Sequence, residues 1–181
     1  MRQHCRRVIG TDYNEGCRVK HQSHPTAGNY SLGNPAAGRI CEGGMLICDR
    51  AIRPADIKDG LSQTMIVGEQ SDWWVQSDGT LVDCGSGFDH GFCMGPSGGL
   101  GPSGECSKPA NMTCVLHGVG EKSYNAMGVF QGGPNRPIQS AHPGGAMTLF
   151  CDGSVHFVTN SIDLVTLYNL VNRADGEIVS Y

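Results

Sequence analysis

Three carboxylates and one imidazole carry most of the chemistry this sequence offers. Glu69 closes an otherwise apolar run, Met65-Ile66-Val67-Gly68-Glu69, and a carboxylate in such surroundings needs a partner. The Ser62-Gln63-Thr64 hydroxyls and amides are one source of partners. Asp72 is another reason to look here, because with Glu69 it supplies the hard oxygen ligands that suit Ca²⁺, although no Asp-x-Asp-x-Asp-Gly loop is present. His142 enters Pro143-Gly144-Gly145, and the nine residues Pro143 to Cys151 separate it from Asp152-Gly153. Together Glu69, Asp152 and His142 form a candidate acid/base set for a small secreted hydrolase acting on esters or glycosides, with Ca²⁺ as its one candidate cofactor. A straight strand advances about 3.3 Å per residue, so His142 and Asp152 are not an obvious dyad. The competing reading makes His142 structural, bonding a backbone carbonyl or the Asp59 loop. Asp59-Gly60 and Asp152-Gly153 are turn chemistry first, with glycine supplying a positive φ.

Nine cysteines are many for a reducing compartment. Cys41/Cys48, Cys84/Cys93 and Cys106/Cys114 are the candidate local disulfides, and Cys151, between Phe150 and Asp152, is the candidate for an unpaired, inert thiol. No C-x-x-C pair favours zinc, and the Gly/Ser runs lack the strand-turn-helix context of a nucleophile elbow. Trp73 and Trp74 flank a Gly-rich stretch, which leaves carbohydrate binding as a third reading, with core anchoring as the job of at least one of them.

These residues need elements to position them. The chain has 181 residues, of which 27 are Gly and only 17% are charged, which argues against a helical bundle. A net charge of −4 gives no electrostatic reason for a nucleic-acid partner. No segment approaches the ~18 consecutive apolar residues of a membrane span. Residues 1–27 read as an irregular arm and 28–181 as one domain, interrupted at about 75–122 by a Gly/Ser/Pro/Cys-rich insertion. Met65 to Glu69 reads as a buried strand. Ala146 to Cys151 and Ser154 to Val158 read as a hairpin around a two-residue Asp152-Gly153 turn, with His156 on the face opposite Val155 and Phe157. Ser161 is the expected N-cap of a short helix whose apolar face is Leu164, Leu167, Leu170 and Val171, and Glu177 to Tyr181 reads as a last strand. The expected class is α+β, mainly antiparallel β.

Two segments also carry a family likeness. His142, nine residues, then Asp152-Gly153 is an H-X9-DG signature, and Ile57-Lys58-Asp59-Gly60-Leu61-Ser62-Gln63-Thr64-Met65-Ile66-Val67-Gly68-Glu69 follows Asn29-Tyr30 upstream. In both, the sequence resembles the pseudopilin-like proteins of planctomycetes, exported proteins with a prepilin-type leader. The resemblance covers about Gly28 to Trp74 and Tyr124 to Tyr181, and implies Asp59, Gly60, Gly68, Glu69, His142, Asp152 and Gly153 as motif residues. It further implies a pilin-like globular sheet with one short C-terminal helix, and the long Gly/Cys-rich loop insertion lies outside the resemblance. The expected role is non-catalytic, in a surface or secretion assembly, outside the cell or in its envelope. Partners would be other pilin-like subunits or cell-surface components, with oligomerisation left open. The family's leader and long apolar helix are not in this sequence, so the likeness is to the C-terminal part of such a protein.

Overall fold

The computed structural model describes residues 5–10, 43–46, 51–71, 73–83, 112–115, 117–123 and 137–180. Its strands are β1 (Cys5–Gly10), β2 (Met65–Gln70), β3 (Trp73–Val75), β4 (Leu81–Asp83), β5 (Met112–Cys114), β6 (Gly145–Phe150) and β7 (Val155–Thr159), followed by one helix, α1 (Leu164–Val171). A five-stranded sheet runs β5-β1-β2-β6-β7, and β3-β4 forms a separate pair. Every pairing is antiparallel except β1 with β5. The class is therefore α+β with a mainly antiparallel sheet, as composition and patterning imply.

Alternation along the β6–β7 hairpin sorts its side chains into two faces. Ala146, Thr148 and Phe150, with Val158, face the core. Met147, Leu149, Val155 and Phe157 face away from it. Met65, Ile138, Ala146, Phe150 and Val158 meet Leu167, Leu170 and Val171 of α1 in one cluster that also takes in Val115 and Val119. Burial of one face against α1 is what fixes the register, since a slip by one residue would exchange the two faces. His156 lies on the core side of β7, its ring edge-on to Phe150 at 4.9 Å between centroids.

Several local expectations change. The hairpin loop has three residues, Cys151-Asp152-Gly153: Phe150 N–H donates to Ser154 C=O (2.9 Å), and Gly153 N–H donates back to Phe150 C=O (3.0 Å). Gly153, at φ +89°, supplies the left-handed position of this bulged loop, which a two-residue turn would place differently. The N-cap is Asp163, whose carboxylate accepts from Thr166 N–H (2.9 Å) and the Thr166 hydroxyl, while Ser161 Oγ lies 2.9 Å from Thr159 Oγ1. A carboxylate reaching both Thr166 donors satisfies more of the helix start than the serine two residues earlier. Residues 177–180 form no strand, and Val179 instead packs against the core cluster. Within the arm expected to be irregular, Cys5–Gly10 forms β1, paired with β2 and β5. That stretch has little apolar pattern of its own, and its strand character comes from tertiary pairing.

Candidate functional site

Glu69 stands at the end of the β2–β6 ladder. Pairing runs through Gly68 opposite Thr148, and one step further the Glu69 carboxylate replaces a backbone partner, Oε2 accepting from Met147 N–H at 3.1 Å. The displaced backbone bond goes elsewhere: Glu69 C=O accepts from Gln139 N–H (3.1 Å), and Gln139 C=O from Ser71 N–H (3.0 Å). Residue 139 thus wedges into the sheet as a parallel bridge beside Gln70, and the chain after it delivers His142 to the other Glu69 oxygen. His142 Nε2 lies 3.7 Å from Glu69 Oε1, the imidazole half-exposed and the carboxylate nearly buried. Protonated His142 makes this an ion pair. Glu69 therefore finds its partners in Met147 and His142 rather than in the Ser62-Gln63-Thr64 turn.

Asp152 is at the opposite end of β6, roughly 16 Å away at about 3.3 Å per residue. Glu69, His142 and Asp152 consequently share no cleft. Asp152 has neighbours of its own: its Oδ1 accepts from Ser154 N–H (2.8 Å) and from the Ser154 hydroxyl (2.6 Å), and Ser154 Oγ lies 2.9 Å from His156 Nε2. These bonds from Ser154 hold the Asp152 carboxyl below its ordinary range. The row has the residue types of a hydrolytic triad in the wrong order. The Ser154 hydroxyl, already donating to the Asp152 carboxylate, lies between the two other groups, whereas a triad places the imidazole between serine and carboxylate. The sequence offers His156 by its strand face but gives Ser154 no role of its own, and the two-residue spacing Asp152-x-Ser154-x-His156 is the signal that puts the three in one row. Beside them Cys151 is a free thiol, pushed up to about 11, chiefly by burial and then by the Asp152 charge.

Asp59, the buried carboxylate of the first motif, accepts from two backbone donors, Asp175 N–H (2.9 Å) and Gly176 N–H (2.8 Å). On the same strip Lys58 N–H and Asp59 N–H both donate to Arg173 C=O, and the buried Arg173 guanidinium donates to Gly44 C=O. The neighbouring Asp175 carboxyl is raised to about 6, mainly by burial and further by the Asp59 charge. An open depression of about 380 Å³ borders this strip between Arg53, Asp56, Lys58 and Arg173. Arg53 is bonded to Asp56 and Lys58 to Ala55 C=O, so its polar groups serve the fold around it.

Trp74 is 2% exposed and donates from Nε1 to Gln139 Oε1 (3.0 Å), whereas Trp73 is 37% exposed on the outer face of β3–β4 with Val75 and Leu81. One tryptophan anchors and the other is accessible. Asp72, Cys41, Cys48, Cys84, Cys93 and Cys106 lie outside the described residues, as does the side chain of Cys114, so the calcium pair and the three disulfide candidates have no geometry here. Among the described residues no three His, Cys, Asp or Glu side chains converge as a metal would require, and no helix is long and apolar enough to cross a membrane.

A sequence model for a family described as a protein of unknown function, DUF1559, matches residues 8–165. No curated protein and no solved structure matches the chain.

Proposed function

The chain belongs to the DUF1559 family, and from that premise we propose that it is the globular, non-catalytic part of an exported, pilin-like protein that works by contact in a surface or secretion assembly. The observation that carries this reading is how the motif carboxylates are used. Asp59 holds the backbone at 175–176, Glu69 holds Met147, and Asp152 holds its own turn. Each motif acid is committed to a backbone N–H, which is an architectural use, and the two ends of β6 keep Glu69/His142 apart from Asp152. The partners are other pilin-like subunits or cell-surface components, and the place is the envelope or the outside of the cell.

The test joins fractionation to an activity screen. The reading expects the full-length protein in envelope or extracellular fractions, and no turnover of an ester and glycoside panel above the blank, with or without Ca²⁺. Cytoplasmic recovery would overturn the assembly role, and turnover abolished by Glu69→Gln or His142→Ala would restore the hydrolase. Carbohydrate binding remains a second reading because Trp73 presents its indole outward. Quenching of fluorescence by oligosaccharides that is lost in Trp73→Ala would support it.

A further inference from the structure

We propose that two copies of this chain pair edge to edge along β7, antiparallel, with Phe157 on the two-fold axis. The proposal rests on the reading of the chain as an assembly module and names its partner, a second copy. β7 is the last strand of the sheet, and its ladder phase is fixed at both ends. Phe150 N–H donates to Ser154 C=O, and Asn160 N–H to Gly144 C=O at 2.8 Å, so the even-numbered residues turn their backbone groups toward β6. The N–H and C=O of Val155, Phe157 and Thr159 then point away from it. Among the described residues no strand takes that edge, and only Thr159 C=O is engaged there, by Ile162 N–H.

The side chains make the same edge receptive. Val155 is 56% exposed, Phe157 44% and the adjoining Met147 37%. Val155 to Thr159 contains no Lys, Arg, Asp, Glu or Pro, the residues by which exposed edges are ordinarily protected. A two-fold axis at Phe157 is the arrangement in which the outward groups of both strands meet. Phe157 exchanges both backbone bonds with Phe157 of the second copy, and Val155 pairs with Thr159 of that copy on either side. His156 falls opposite Val158, no like charges are brought together, and the apolar strip of Met147, Val155 and Phe157 runs on across the junction.

Sedimentation of the full chain over the micromolar range reads the mass directly. Val155→Pro deletes an outward N–H without touching the β6 ladder, and Phe157→Lys places a charge at the axis. The expected result is a concentration-dependent monomer–dimer equilibrium that each variant weakens by at least about tenfold, with melting close to that of the parent. A parent that stays monomeric overturns the pairing, as does a dimer that Val155→Pro leaves intact, since that would be packing of faces without strand addition. Phe157→Lys remains informative if the proline variant fails to fold. A dimer found in a cytoplasmic protein would refute the assembly role while leaving the pairing standing.

Discussion

Replacing Asp59 by alanine tests the architectural use of the motif acids most directly. The side chain is buried and its two oxygens each accept a backbone N–H, at 2.9 and 2.8 Å. Bonds to a charged partner contribute about 1.5–3 kcal/mol each, so their loss costs roughly 3–6 kcal/mol. Against this stands relief of repulsion with Asp175, whose carboxyl is raised to about 6 first by burial and then by the Asp59 charge. That group is half-exposed, so screening keeps the relief to about 1 kcal/mol or less. The net cost is therefore roughly 3 kcal/mol, read as a shift in the urea midpoint at pH 7 with unchanged slope, or as a melting point lower by roughly 6–12 °C for a chain of this size. Asp175→Asn supplies the second arm: part of its stabilising effect should vanish in the Asp59→Ala background, because the two acids no longer face each other. A variant within about 0.5 kcal/mol of the parent would refute the argument, since it would mean that water replaces the buried Asp59 carboxylate at both part-buried backbone donors without penalty.

Four further outcomes follow from the same geometry. Asp175 has a folded pKa above its unfolded one, so its contribution is fully present below about pH 4 and is lost as pH rises through about 6. Asp175→Asn should accordingly stabilise the chain by about 1 kcal/mol above pH 6, after allowance for screening, with the gap closing below pH 4 in a pH series of denaturation midpoints. Glu69→Ala strands Met147 N–H and should cost about 1–2 kcal/mol, whereas His142→Ala, at a half-exposed pair, should cost under about 1 kcal/mol and less in salt; equal costs would contradict the geometry. Gly145→Ala would bring a Cβ to 2.3 Å from the Val158 carbonyl oxygen and 2.8 Å from the Phe157 ring, forcing the hairpin apart; a variant that melts with the parent would refute that contact. The Cys151 thiol, raised to about 11, should react with maleimide at pH 8 roughly a hundredfold more slowly than an exposed cysteine, as peptide mapping would read.

How much of this was legible in the sequence depended on the range of the interaction. The α1 stripe of Leu167, Leu170 and Val171 was visible because local period and tertiary burial coincide. The hairpin is visible for the same reason, but Asp-Gly signals a two-residue turn as readily as the three-residue loop that forms, and the bond from Gly153 to Phe150 decides between them. Nothing local in Cys5–Gly10 announces a strand, since both its partners lie far along the chain. Glu69 asked for a partner, but sequence could not say that a wedge at Gln139 would bring His142 to it. The row Asp152, Ser154 and His156 shows in the sequence only as a spacing of two, which does not by itself say that the three side chains bond to one another.

The two motifs, far apart in sequence, act on one object, the junction of β2 with β6. At one end the turn before β2 is sewn to the hairpin loop, Thr64 C=O accepting from Cys151 N–H (2.9 Å) and Leu61 C=O from Asp152 N–H (3.1 Å). At the other end Glu69 reaches Met147 and His142. Between them the ladder shifts register at Met65/Val67, which is where an antiparallel pair with one irregular step can slip. A slip of one residue would turn Phe150 and Ala146 out and Met147 and Leu149 in. The nine residues between His142 and Asp152 thus span the strand whose register both ends must hold. They fit a clamp at two ends better than a dyad at one point, and the clamp also decides that Met147, Val155 and Phe157 are the side chains left facing outward.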